Sequence, residues 1–154
     1  MLPAEALFWL SAAVPFYSYL GYPVVLLLMG AIFKRPVRKQ TYEPSVTLLI
    51  PAYNEAEHIA GKIRDSLQLE YPAEKLEILV ACDGSRDQTP VIAQSVADGV
   101  RVRVLNFPEN RGKILTLNDG VRDARGEIVV FSDATALLYP DSLRWLMMTM
   151  TPST

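Results

Sequence analysis

The sequence predicts an α/β fold, a mostly parallel sheet with helices on its faces, preceded by a single apolar helix. Three observations carry that expectation. Short apolar runs alternate with segments of helical spacing from Val46 onward. The stretch Ile128 to Phe131 is uninterruptedly apolar, with Gly126 before it and Ser132-Asp133 after it, the pattern of a strand buried on both faces. Ahead of all this, Leu7 to Phe33 carries no charged side chain.

That charge-free stretch is longer than the roughly 20 residues needed to cross a bilayer core, so it reads as a tilted transmembrane helix. Gly21 and Pro23 interrupt it, which predicts a kink near its middle. Phe8 and Trp9 lie near one end, where aromatic rings favour the interface. Lys34, Arg35, Arg38 and Lys39 follow it, against Glu5 alone before it, and this asymmetry puts the following domain in the cytoplasm. A signal peptide would begin with positive charge and have a shorter apolar region and a cleavage site. The expected organisation is therefore a membrane anchor over 1–35, a polar, proline-bounded linker over 36–44, and an α/β domain over 45–154.

Within that domain, Val46 to Pro51 reads as a first strand stopped by Pro51. Asn54 would cap a helix carrying Ala56, Ile59, Ala60, Ile63 and Leu67, and Tyr71-Pro72 would break it. Leu76 to Ala81 is a second strand ending in Cys82-Asp83-Gly84-Ser85. Thr89-Pro90 opens a helix to about Ala97, the proline sitting at the first helical position. Val100 to Leu105 alternates apolar and basic residues, as an exposed strand would. The next helix starts near Lys113, with Ile114, Leu117, Val121 and Ala124 predicted on its inner face. After the fourth strand, Glu127 to Ser132, a last helix begins near Asp141 and carries Leu143, Leu146 and Met147, with Asp141 as its cap.

Composition removes several classes of function. The net charge of −2 on 154 residues gives no global basic field for nucleic acid. Cys82 is the only cysteine and His58 the only histidine, so an intramolecular disulfide, a cysteine-rich metal site and a His-His metal motif are all excluded. His58 is expected on a solvated helix face. Ser85 and Ser132 lack an evident base partner, so no serine nucleophile is assigned. A dinucleotide fold would require Gly-X-Gly-X-X-Gly after the first strand, where Pro51-Ala-Tyr-Asn-Glu55 stands instead.

A parallel sheet brings the ends of its strands to one edge, where open α/β folds bind ligands. Asn54 and Glu55, Asp83, Asn110 to Lys113, and Asp133 all fall at that edge. Asp83 can accept hydrogen bonds from a base or ribose, and Gly84 permits close backbone approach. Lys113 and the amides opening its helix favour a phosphate. Asp133 could hold a divalent cation bridging a diphosphate, since magnesium uses only one or two protein carboxylates and keeps several waters.

Four segments together resemble the N-terminal half of a family 2 glycosyltransferase, over about Pro44 to Met148. They are Ile50-Pro-Ala-Tyr-Asn-Glu55, Ala81-Cys-Asp-Gly-Ser-Arg-Asp-Gln-Thr89, Asn110-Arg-Gly-Lys-Ile-Leu-Thr-Leu-Asn-Asp-Gly120 and Val130-Phe-Ser-Asp-Ala-Thr135. The leading helix with Tyr19-Leu-Gly-Tyr-Pro23 is similar to membrane-bound members that build polysaccharides or glycolipids. The resemblance implies the GT-A (Rossmann-like) fold and a nucleotide-diphospho-sugar donor, with UDP as the expected nucleotide. It further implies inverting transfer to a glycan or lipid acceptor. Pro51, Ala52, Tyr53 and Glu55 would line the nucleotide pocket, Asp83 would bind the base, Lys113 would lie near the diphosphate, and Asp133 would be the first acid of an Asp-X-Asp element binding the sugar nucleotide and Mg or Mn.

Two departures from the family pattern qualify that expectation. Thr135 stands where many members have a second Asp, and a hydroxyl is the poorer magnesium ligand. The family's catalytic base belongs to an acidic motif further downstream, and Arg144-Trp145 lies too close to Asp133 to be the Gln-X-X-Arg-Trp motif of membrane synthases. The chain is thus expected to be a fragment lacking the C-terminal part of the fold and inactive alone. The alternative is a non-catalytic nucleotide-binding or partner-dependent module.

Overall fold

The computed structural model describes residues 3–32 and 43–150. The chain divides into two compact units, Met1–Arg38 and Lys39–Thr154. The residues carrying the positive charges after the apolar helix, and most of the expected linker, lie outside the described residues.

In the first unit, α1 (Ala4–Phe16) and α2 (Tyr22–Ile32) form one helical run through a π-helical stretch, Tyr17–Gly21. Where Gly21 and Pro23 led to the expectation of a kink, the helix carries this π-helical stretch. Pro23 has no N–H to donate back to the preceding turn, and a wide turn immediately before it absorbs that loss. None of its described residues is buried. The run is long and apolar enough to cross a membrane, although a signal sequence meets the same criterion of length and composition.

The second unit is a four-stranded sheet in the order β3-β2-β1-β4, with β1 (Val46–Ala52), β2 (Leu76–Asp83), β3 (Val102–Phe107) and β4 (Ile128–Phe131) all parallel. Alternation along the strands builds a core on each face. Val46, Leu48, Ile50, Ile78, Val80 and Cys82 face one way, packing with α3 (Ile59–Leu67), α4 (Thr89–Val96) and α6 (Ser142–Thr149). Leu49, Leu79 and Ala81 face the other, packing with Leu117 of α5 (Lys113–Asp123).

Pro51 does not stop the first strand, which continues to Ala52. The Leu49 carbonyl accepts the Ser132 N–H at 3.0 Å, so the odd-numbered residues of β1 face β4. β4 ends its pairing at Leu49, so the N–H that Pro51 lacks would have pointed into a gap. The same gap opens the cleft described below. The helix α3 begins at Ile59, not at Asn54, because Asn54 adopts φ 56° and its side chain is used elsewhere.

The run Ile128 to Phe131 is only partly buried, with Phe131 55% exposed, because β4 is an edge strand among the described residues. On α5 the inner face is Thr116, Leu117 and Gly120, while Ile114 and Val121 are exposed. Gly120 decides this: a Cβ there would lie 2.6 Å from Leu49 Cδ1, so the helix packs through its smallest residue. Asp141 stands at the helix start but makes no side-chain cap; its Oδ2 accepts the Trp145 indole N–H at 2.8 Å.

Candidate functional site

The C-terminal ends of the strands converge on one cleft of about 420 Å³. Its walls are Pro51, Ala52, Tyr53 and Glu55 from β1 and the segment after it, Asp83 from the end of β2, Asn110, Gly112, Lys113 and Thr116 around the start of α5, and Asp133, Ala134 and Thr135 after β4. All the residues singled out from the sequence as donor-binding thus line one space. Asn54 sits at its border as a brace: its N–H donates to Ser85 Oγ at 3.1 Å and its Oδ1 accepts the Arg86 N–H at 2.9 Å.

A set of cross-loop bonds fixes the β1 and β2 loops to each other. The Glu55 N–H donates to Thr89 Oγ1 at 2.7 Å, and the Ala56 N–H donates to Asp87 Oδ2 at 3.2 Å. The Thr89 hydroxyl donates in turn to Asp87 Oδ1 at 2.5 Å, and this bond leads the contacts that hold the Asp87 carboxyl below the usual range. Asp87 escaped the sequence reading, although an acid two residues before a Thr-Pro helix start is the local signal for such a turn. His58 is exposed and pairs with Glu55 Oε2 at 3.2 Å.

Asp83 is buried, 4% exposed. Burial opposes its ionisation, yet hydrogen bonds from the loop before α5 outweigh that and lower its pKa. Its Oδ1 accepts the Arg111 N–H and its Oδ2 the Gly112 N–H, both at 2.9 Å. The residue therefore organises the 110–112 loop as well as facing the cleft. Gly84, at φ +61°, makes that junction possible, because a Cβ would collide with the backbone of Glu109 and Asn110. The close approach predicted at Gly84 is thus to the protein's own loop. Cys82, just before it, is buried, and burial pushes its thiol up to about 11, so it is an inert core residue.

At the cleft's exposed rim Lys113 Nζ meets Asp133 Oδ1 at 2.6 Å, with side chains 60% and 63% exposed. Behind this exposed pair lies a residue the sequence reading passed over. Lys62 of α3 is 5% exposed, and its ammonium donates to Ser132 Oγ at 2.7 Å and to the Ala136 carbonyl at 2.6 Å. Burial lowers its pKa, opposed by the Asp65 and Asp133 carboxylates. The signal was available: Ile59, Lys62, Ile63 and Ser66 share one helical face, so a cation sits on an inward stripe.

Among the described residues there is no group of three or more His, Cys, Asp or Glu side chains close enough to hold a metal. Asp133, with the Thr135 hydroxyl in the same loop, offers one carboxylate at an open rim. Such a donor set fits a hard cation that shares its coordination with substrate phosphates and water, and does not fit a closed protein cage.

Residues 47–151 match the profile of Glycosyl transferase family 2. This chain belongs to that family. Its relatives include an uncharacterized glycosyltransferase from Rickettsia typhi, 33% identical over 107 residues, spanning 70% of this chain and 32% of that protein. Poly-beta-1,6-N-acetyl-D-glucosamine synthase of Staphylococcus aureus is 27% identical over 137 residues, 89% of this chain and 31% of the synthase. The chain therefore spans about a third of the length of these curated relatives.

Among solved structures, a mannosyltransferase from Pyrobaculum calidifontis in complex with GDP-Man and Mn2+ superposes with a TM-score of 0.75 at 31% identity, covering 92% of this chain and 43% of that one. TarS of S. aureus, at TM-score 0.61 and 23% identity over 66% of this chain and 31% of that one, shares the fold. The GT-A-like architecture expected from the sequence is thus present, as a parallel four-stranded sheet with flanking helices.

Proposed function

We propose that this chain is the donor-binding part of a membrane-bound glycosyltransferase that takes a sugar from a nucleotide diphosphate and transfers it, with inversion, to a polysaccharide or lipid acceptor. The observation that carries this reading is the single cleft in which Glu55, Asp83, Lys113 and Asp133 converge. Pro51, Ala52, Tyr53 and Glu55 form the nucleotide wall, with Glu55 near the ribose or base. Asp83, fixed by two backbone N–H groups, keeps further lone pairs for a base. Lys113 exchanges its exposed partner Asp133 for the donor's diphosphate, and Asp133 is then free for a divalent cation.

In the reaction the acceptor hydroxyl attacks the anomeric carbon while a carboxylate base takes its proton, and the bond to the diphosphate breaks with its electron pair leaving on the nucleotide. Among the described residues no side chain is assigned as that base, so the chain alone is expected to bind donor without turnover. A divalent cation, when bound at Asp133, would offset the negative charge gathering on the departing diphosphate. Lys113 adds a fixed positive charge at the same place.

UDP is the nucleotide of the proposal, the one the family resemblance implies and the one carried by TarS in its complex with UDP-GlcNAc. The mannosyltransferase solved with GDP-Man favours a guanine nucleotide as the second reading. The remaining parts of the proposal are the anchor at 1–35, the linker at 36–44 and a cytoplasmic α/β domain at 45–154. They are supported by the apolar helix Ala4–Ile32 and by the lysines and arginines that follow it in sequence. Calorimetric titration of the detergent-solubilised chain with UDP and with GDP, each with and without Mn2+, tests the reading. Cation-dependent binding of one of them is expected, and binding of neither overturns it.

A further inference from the structure

We propose that Lys62 is a positioning residue that holds the Asp133 loop in the conformation the donor's diphosphate and cation require. The inference rests on the nucleotide-sugar reading above. Lys62 lies on the inward stripe of α3 between Ile59 and Ile63, both fully buried. Desolvating an ammonium is costly, and an apolar side chain of similar volume would fill that stripe without the cost. Core stability alone therefore does not call for a lysine there.

What the ammonium obtains in return is both ends of one short loop. It donates to Ser132 Oγ at 2.7 Å, immediately before Asp133, and to the Ala136 carbonyl at 2.6 Å, three residues after it. Between those anchors the loop closes on itself, the Ala136 N–H donating to the Asp133 carbonyl at 3.1 Å. The Ser132 N–H ties the same end to Leu49 of β1 at 3.0 Å. The Asp133 side chain, 63% exposed, emerges on the cleft side of a backbone pinned from behind. Lys62 does not line the cleft, so it acts from behind, through the two anchors of this loop and through its charge on Asp133.

The test uses the full chain in detergent, with Lys62→Met, which keeps length and volume, and Ser132→Ala, which removes only one acceptor. Affinities are measured by calorimetry for whichever of UDP or GDP binds, with Mn2+, and for the matching monophosphate, which lacks the outer phosphate. Lys62→Met is expected to lose cation-dependent diphosphate affinity about tenfold to a hundredfold, as does loss of a group that orients a metal ligand, while monophosphate affinity holds. Ser132→Ala is expected to show a smaller loss with the same selectivity, and it stands in should Lys62→Met fail to fold. Unchanged diphosphate affinity in both variants would overturn the inference, as would an equal loss for the monophosphate, the mark of general destabilisation. A wild-type chain that binds no nucleotide would overturn the nucleotide-sugar reading itself.

Discussion

Where the strands begin, Arg103 meets Glu77 at 2.6 Å with side chains 18% and 10% exposed; where they end, Lys113 meets Asp133 at the same distance with side chains 60% and 63% exposed. The two pairs look alike by distance and differ in everything that decides their worth. Glu77 also accepts from the Thr47 hydroxyl at 2.6 Å and the Arg125 N–H at 2.9 Å, and Arg103 bonds to Asp123 as well. That network joins β1, β2, β3 and the turn leading to β4, and breaking it would strand charges in a poorly solvated place. The Lys113–Asp133 pair is solvated, worth about 0–1 kcal/mol, and so can be given up to a ligand at little cost. One end of the sheet uses charge to stay together, and the other keeps charge available.

This contrast can be broken first at the closed end. Glu77→Ala is expected to destabilise the α/β unit by about 3–5 kcal/mol, read by chemical denaturation, with the folded fraction keeping its nucleotide affinity. Asp83 stands between the two regimes, buried like Glu77 but placed at the cleft. Asp83→Ala strands the Arg111 and Gly112 N–H groups and should cost about 1–3 kcal/mol in stability while abolishing nucleotide binding by calorimetry. Gly84→Ala should cost a similar amount, about 1–3 kcal/mol in the melting curve, because a left-handed residue would also have to push back the 109–110 backbone. Lys113→Met completes the series: melting should be unchanged within about 0.5 kcal/mol, while diphosphate affinity drops by about 1.5–3 kcal/mol.

Acid sharpens the same comparison. Glu77, Asp83, Asp87 and Asp98 all have pKa values held below the ordinary 4.5 of glutamate and 3.8 of aspartate. For Glu77 and Asp83 burial works against this and hydrogen bonds from their partners prevail; for Asp87 and Asp98 hydrogen bonds lead. Each folded-state pKa lies below its unfolded value, so each contribution is complete above the ordinary pKa and is lost as pH falls through the depressed one. A pH series of denaturation curves should therefore be flat near neutrality and fall steeply below the ordinary carboxylate range. The Glu77→Gln variant should show a shallower acid limb.

The sequence was readable wherever chemistry and position coincide. Asp83 and Asp133 announce themselves because a carboxylate at the end of an apolar run in an alternating fold lands on the edge where the cleft opens. The alternation of Val100 to Leu105 marked an exposed strand, and β3 is indeed at the sheet's edge, starting two residues later and using Arg103 against Glu77. What stayed hidden depends on partners distant in sequence. Pro51 is tolerated inside a strand only because β4 stops short, a fact located eighty residues away. The inner face of α5 is set by how closely Gly120 can approach Leu49, and apolar spacing alone favoured Ile114 and Val121. Lys62 and Asp87 gain their meaning from Ser132, Ala136 and Ala56, which only folding brings near.

The claim that these loops make one nucleotide pocket is tested most directly by mapping amide NMR shifts of the solubilised chain during titration with UDP and magnesium. A shared pocket predicts that the signals of Glu55, Asp83, Gly112, Lys113 and Asp133 move together along a single binding curve, while those of Glu77 and Arg103 at the far end stay still. Shifts confined to one loop, or strongest around Glu77, would contradict it.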